Sequence, residues 1–193
     1  LTHLDTDALR RITGAKDVSI MRVRYREGKR AILHLSTEAG EGSAWFFQGD
    51  NARRLARRNK RTARYDASSE ALYESFPCDH RMPQIKAFLD DYDQIAPDLI
   101  GGAPSRTPEL LRYRPGLSCT FRCCLAEGGA VFVKLINDDS PARLAEVNYQ
   151  MVSHLAGTSV SVAPIIGSAP DYDAIAYAAA AGRPLDTALA ETG

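Results

Sequence analysis

The pentapeptide Arg24-Tyr25-Arg26-Glu27-Gly28 returns 88 residues later as Arg112-Tyr113-Arg114-Pro115-Gly116. Beyond it, Ala44-Trp45-Phe46-Phe47 falls opposite the apolar run Phe132-Val133-Lys134-Leu135. At an offset of 89, Ala52-Arg53-Arg54-Leu55-Ala56 falls opposite Pro141-Ala142-Arg143-Leu144-Ala145. Weak matches that keep register over such a span mark a repeated supersecondary unit. The chain is therefore expected to hold two copies of a unit of three strands and a helix.

Local signals agree. Leu4, Leu9 and Ile12 lie close to one face of a short opening helix that Asp5 or Thr6 can cap and Gly14 ends. Ile20, Val23 and Tyr25, then Ala31, Leu33 and Leu35, mark two strands about a Glu27-Gly28 turn; 37–43 is a Gly-rich turn and 44–47 a third strand. An Arg-rich helix starts at Asn51, and 71–76 and 83–89 are short apolar stretches. The loop Gly101-Gly102-Ala103-Pro104-Ser105 reads as the boundary between a first unit, 1–100, and a second, 105–193. Two strands about Pro115-Gly116 follow, then a turn at Glu127-Gly128-Gly129 and a strand over Ala130–Ile136. A helix over 141–155 carries Leu144, Val147, Met151 and Leu155 at spacings of 3 to 4, a face expected to pack on the sheet. Strands at 163–166 and 174–178 flank a turn at 170–173, and Asp186 can cap a further helix. The expected class is α+β.

With 193 residues, 45% of them hydrophobic, the chain can bury a core without staples, which excludes disordered and fibrous classes. Its zero net charge hides a division: 1–64 carries 15 basic and 7 acidic side chains, 65–193 carries 9 and 17. The basic half raises nucleic acid as a partner through Arg53-Arg54-Leu55-Ala56-Arg57-Arg58-Asn59-Lys60-Arg61. Without interleaved aromatics that run reads as a solvated helix face, and no nucleic-acid partner is expected. Cys78, Cys119, Cys123 and Cys124 lack the spacing of a zinc site or a stapled secreted domain and read as reduced structural thiols, Cys119 and Cys123 on one strand face. His80 reads as a surface loop residue. No apolar run reaches the ~18 residues of a membrane span and no signal-peptide order opens the chain, so a cytoplasmic protein without a membrane partner is expected.

Lys occurs five times, and only Lys134 is flanked on both sides by strand-forming apolar residues. Together with the hairpin loop 114–120, Glu146 on the next helix, Ala163-Pro164-Ile165-Ile166 and the run 177–185 ending Gly182-Arg183-Pro184-Leu185, the strand Phe132-Val133-Lys134 resembles a known lobe. It is the small N-terminal lobe of protein-kinase-like small-molecule phosphotransferases, the aminoglycoside and choline kinase-like superfamily. The resemblance covers about 105–193. It implies an antiparallel sheet plus helix that binds ATP, with Lys134 paired to Glu146 and held against the α- and β-phosphates. Gly116 and Ser118 would cover the triphosphate with backbone N–H groups, and Ala178 and Ala180 would offer main-chain groups to adenine at the hinge. It also implies a small-molecule hydroxyl as acceptor, with Mg in the complete enzyme. Nothing like the family's His-Gly-Asp catalytic loop, downstream Asn and metal-binding Asp occurs, so no catalytic residue or metal ligand is assigned and the catalytic lobe is expected outside this chain. The first copy sets Trp45, Phe46 or Phe47 where the second has Lys134, which implies a lobe-like unit without nucleotide.

Elementary electrostatics points the same way. An ammonium in an apolar strand is costly unless a carboxylate or phosphate neutralises it. Glu146 is expected at contact distance, or further off where the helix swings out without nucleotide. The other readings are a Lys that snorkels to solvent, a plain hairpin turn at Gly116 and an Ala-rich strand end at 178–180. Two function classes stand. One is the nucleotide-binding region of an ATP-dependent phosphotransferase, inactive alone. The other is a non-catalytic module that binds a protein partner through its sheet or its basic helix.

Overall fold

The structure is a computed structural model that describes residues 6–47, 49–137 and 141–180. An opening helix α1 (Thr6–Thr13) leads into β1 (Val18–Arg26), β2 (Arg30–Thr37), β3 (Gly40–Phe47), α2 (Asn51–Arg58), β4 (Ala63–Asp66) and β5 (Ala71–Ser75). Two helices follow, α3 (Gln84–Asp90) and α4 (Tyr92–Ile100). The chain then repeats the pattern as β6 (Glu109–Arg114), β7 (Ser118–Cys124), β8 (Ala130–Ile136), α5 (Pro141–Leu155), β9 (Ile165–Ala169) and β10 (Ala174–Ala178). Both antiparallel sheets have five strands in the same spatial order, β1-β2-β3-β5-β4 and β6-β7-β8-β10-β9. The expected three strands and a helix are present twice, each set extended by two further strands.

Strand register carries the correspondence to single residues. Ile32, Trp45 and Leu72 lie side by side across β2, β3 and β5; Thr120, Lys134 and Ile175 do so across β7, β8 and β10. Trp45 thus stands where the second unit has Lys134. The first hairpins also close alike. Lys29 N–H donates to the Arg26 carbonyl at 3.1 Å and Leu117 N–H to the Arg114 carbonyl at 2.9 Å. Each turn passes through a glycine at φ 63°, Gly28 and Gly116, where a Cβ would add strain.

The first sheet is covered on both faces. Leu9 and Ile12 of α1 pack on Leu33, Leu35 and Ala44. Ala52 and Leu55 of α2 pack on Ile32, Trp45 and Leu72. One face of the second sheet is covered by α3 and α4, whose Ile85, Phe88, Tyr92 and Leu99 share a core with Phe121, Val133 and Leu135. By packing, these helices belong to the second core, although the sequence reading grouped 83–89 with 1–100. The Gly101 loop that suggested the boundary is the left-handed end of α4. Close approach of α4 to β9 requires Gly167, since a Cβ there would sit 2.1 Å from the Leu99 carbonyl oxygen.

The apolar stretch 83–89 is mostly helix α3, and β4 is too short and polar to show a period. Two local expectations are corrected. The strand expected at 163–166 begins at Ile165. Most of the α5 stripe does not pack on the sheet: Leu144, Val147 and Met151 are 37%, 43% and 46% exposed, and only Leu155 is half-buried. Ala145, Asn148 and Val152 turn inward instead. Asn148 sets that rotation, donating from Nδ2 to the Ala163 carbonyl and accepting at Oδ1 from Ile165 N–H, both at 3.0 Å. Backbone groups of the segment leading to β9 need partners, and one polar side chain supplying two outweighs the apolar spacing. Leu4, Asp5, the run 181–185 and Asp186 lie outside the described residues. Among the described residues no helix is long and apolar enough to cross a membrane.

Candidate functional site

Strand alternation positions Lys134. Val131, Val133 and Leu135 belong to the α3–α4 core, so Lys134 faces the other side of the sheet between Thr120 and Ile175. It is half-buried, and Ile175 beside it is 1% exposed. Among the described residues no carboxylate forms an ion pair with it. Glu146 is exposed on α5, where it accepts from Gln150 Nε2 at 3.4 Å. The expected contact is therefore open. The rotation of α5 leaves Glu146 on an exposed position of the helix, and among the described residues Lys134 has no ion-pair partner.

The second hairpin tip is docked against the first unit. Gly116 N–H donates to Asp79 Oδ2 at 2.6 Å, the Pro115 carbonyl accepts from Arg24 Nη2 at 2.9 Å, and the Gly116 carbonyl accepts from Asn137 Nδ2 at 3.0 Å. A Cβ on Gly116 would lie 2.5 Å from Trp45 Cη2. In this arrangement the Gly116 N–H, assigned by resemblance to a phosphate, is committed to a carboxylate. Ser118 is buried at the start of β7, opposite Arg114 and Ile136. At the other end, Ala178 N–H donates to the Pro164 carbonyl at 3.0 Å, so of its main-chain groups only the carbonyl is not committed to that bond. Ala180 is exposed just beyond β10.

Sequence reasoning missed the polar cluster that holds this docking. Asp79 is buried and also accepts from Tyr113 Oη at 2.9 Å and Arg81 N–H at 2.8 Å. Burial first, then the Asp79 charge, push the Tyr113 phenol far above its ordinary range. Buried Glu74 accepts from His80 N–H at 3.1 Å, and its other oxygen is 2.8 Å from His80 Nδ1. His80 is thus no surface loop residue: its ring meets Trp45 edge-on with centroids 4.6 Å apart. Donor atoms of Glu74, Asp79 and His80 lie within 4.8 Å of one another, a spacing a metal could use. Each carboxylate oxygen already has a protein partner, and the group works as a latch between the units. Its only sequence trace was Cys78-Asp79-His80 in a polar loop, without period or motif.

Cys119 and Cys123 share the second core, where burial raises both thiol pKa values, and all four cysteines are free. Neither buried thiol is an activated nucleophile. Compared with models of known families, with curated proteins and with solved structures, the chain matches none of them.

Proposed function

We propose that the second unit, 105–193, is the nucleotide-binding region of an ATP-dependent phosphotransferase acting on a small-molecule hydroxyl, in a cytoplasmic setting. The observation that carries this reading is Lys134. Lys134 is half-buried mid-sheet, among the described residues no carboxylate pairs with it, and a phosphate oxygen is the kind of group that completes such a site. Adjacent β10 ends three ladder positions away at Ala178, opposite Val131, which suits the adenine side of a nucleotide whose phosphates reach Lys134. In this reading Glu146 closes on Lys134 when α5 moves, Ala178 and Ala180 contribute main-chain contacts, and Gly116 and Ser118 keep the hairpin in place. This chain orients the nucleotide, and no step of the transfer or ligand to Mg is assigned to it.

Titration of the 193-residue chain with Mg-ATP by calorimetry tests the reading. A charge-assisted contact contributes about 1.5–3 kcal/mol, so Lys134→Ala should weaken binding by roughly tenfold or more, with Lys134→Arg retaining part of it. Equal affinity of Lys134→Ala and the parent, or no binding by the folded parent, overturns it. The exposed stripe Leu144, Val147 and Met151, beside an exposed Tyr149, favours a second reading, a non-catalytic module that binds a protein partner. A folded chain that ignores Mg-ATP would leave that one standing.

A further inference from the structure

The strongest concentration of charge lies in the first unit. Its β1–β2 turn and α2 enclose an open cleft of about 540 Å³, lined by Arg26, Lys29, Arg30, Arg54 and Arg58 about Phe47. Among the described residues no acidic side chain lines it. The cations are assembled as like-charged pairs in two separate elements. Arg26 stands directly opposite Arg30 in the β1–β2 ladder, and Arg54 precedes Arg58 by one helical turn on α2. Each arrangement disfavours the element that contains it. Among the described residues, none of the five forms an ion pair; Arg54 donates to the neutral Asn51 Oδ1.

Neighbouring groups deepen the positive field. Burial, then Arg81 and Arg26, hold the Arg30 guanidinium below its ordinary pKa, and burial with Arg30, Arg81 and Arg114 does the same to Arg24. Self-repulsion of this kind is relieved by a bound anion. Guanidinium forks match phosphate oxygens in pairs, and the volume lies within the ~300–1,000 Å³ of small-molecule sites. The cleft is short and has one aromatic wall, Phe47, which pairs with Arg30 across β2 and β3. A single-stranded nucleic acid would instead need a longer track with successive stacking platforms.

We propose that this cleft binds a compact small molecule bearing several phosphate groups, gripped by Arg26, Arg30, Arg54 and Arg58 and packed against Phe47. The proposal is independent of Lys134, which does not line the cleft.

Inorganic tripolyphosphate, titrated calorimetrically into the 193-residue chain, is the probe. Binding is expected, and it should weaken steeply as salt rises. Arg30→Gln and Arg54→Gln should each reduce affinity by about tenfold or more, since each removes one charge-assisted contact. Arg61→Gln, off the cleft, should bind like the parent. Without ligand, Arg30→Gln and Arg54→Gln should melt at or above the parent temperature, because each relieves repulsion; that readout separates lost contact from lost fold. Absence of binding, or equal affinity in Arg30→Gln, Arg54→Gln and Arg61→Gln, overturns the proposal. So does a short single-stranded oligonucleotide that binds more tightly than tripolyphosphate at the same salt.

Discussion

Asp79→Ala is expected to lower unfolding free energy by about 3–5 kcal/mol, read from the midpoint of urea denaturation. Each buried donor left without an acceptor costs about 1–3 kcal/mol, and Asp79 serves two, Tyr113 Oη and Gly116 N–H, besides the half-buried Arg81 N–H. Water entering the vacated space and relief of repulsion with nearby Glu74 reduce the sum. Asp79 also offsets the cluster around Arg24, whose guanidinium it stabilises in the charged form. Asp79→Asn keeps one acceptor oxygen and should lose roughly half as much. Tyr113→Phe removes a single donor and should lose about 1 kcal/mol. A loss under about 1 kcal/mol in Asp79→Ala would show that the hairpin tip stands free of the first unit.

What the sequence made legible was whatever depends on strand period and turn chemistry. The repeat was visible in the turn motif and the spacing of the next strand and helix, and the ladders of β2, β3 and β5 and of β7, β8 and β10 then put Trp45 and Lys134 at one place in two sheets. Hidden features depend on groups distant along the chain. Asp79 gains meaning only when Gly116 folds onto it, and nothing in a polar loop distinguishes that carboxylate from a solvated one. The rotation of α5 was misread for a related reason: apolar spacing chose one face, while Asn148 chose another by bonding to Ala163 and Ile165. The basic run 53–61 looked like a solvated face on its own. Only the fold brings Arg54 and Arg58 across from Arg26 and Arg30, turning one face of that run into a wall of a cleft.

The two turn glycines separate docking from backbone strain, and their alanine variants should differ by about 1–3 kcal/mol. Gly28 and Gly116 share φ 63°, so each Ala costs about 1–2 kcal/mol for the left-handed conformation. Around Gly28 a new Cβ meets nothing within 4 Å. At Gly116 it meets Trp45 Cη2 at 2.5 Å and Arg81 Cδ at 3.2 Å. Arg81 can swing aside, but Trp45 is fully buried, edge-on to His80 and stacked on Phe47, and has no room to retreat. Overpacking of that kind adds about 1–3 kcal/mol. The clash belongs to the pair, so a double-mutant cycle with Trp45→Leu should return at least about 1 kcal/mol of favourable coupling. Equal losses in Gly28→Ala and Gly116→Ala, with no coupling to Trp45, would mean that the second hairpin is not seated on the first unit. Its Gly116 N–H, here bonded to Asp79, would then be open to another acceptor.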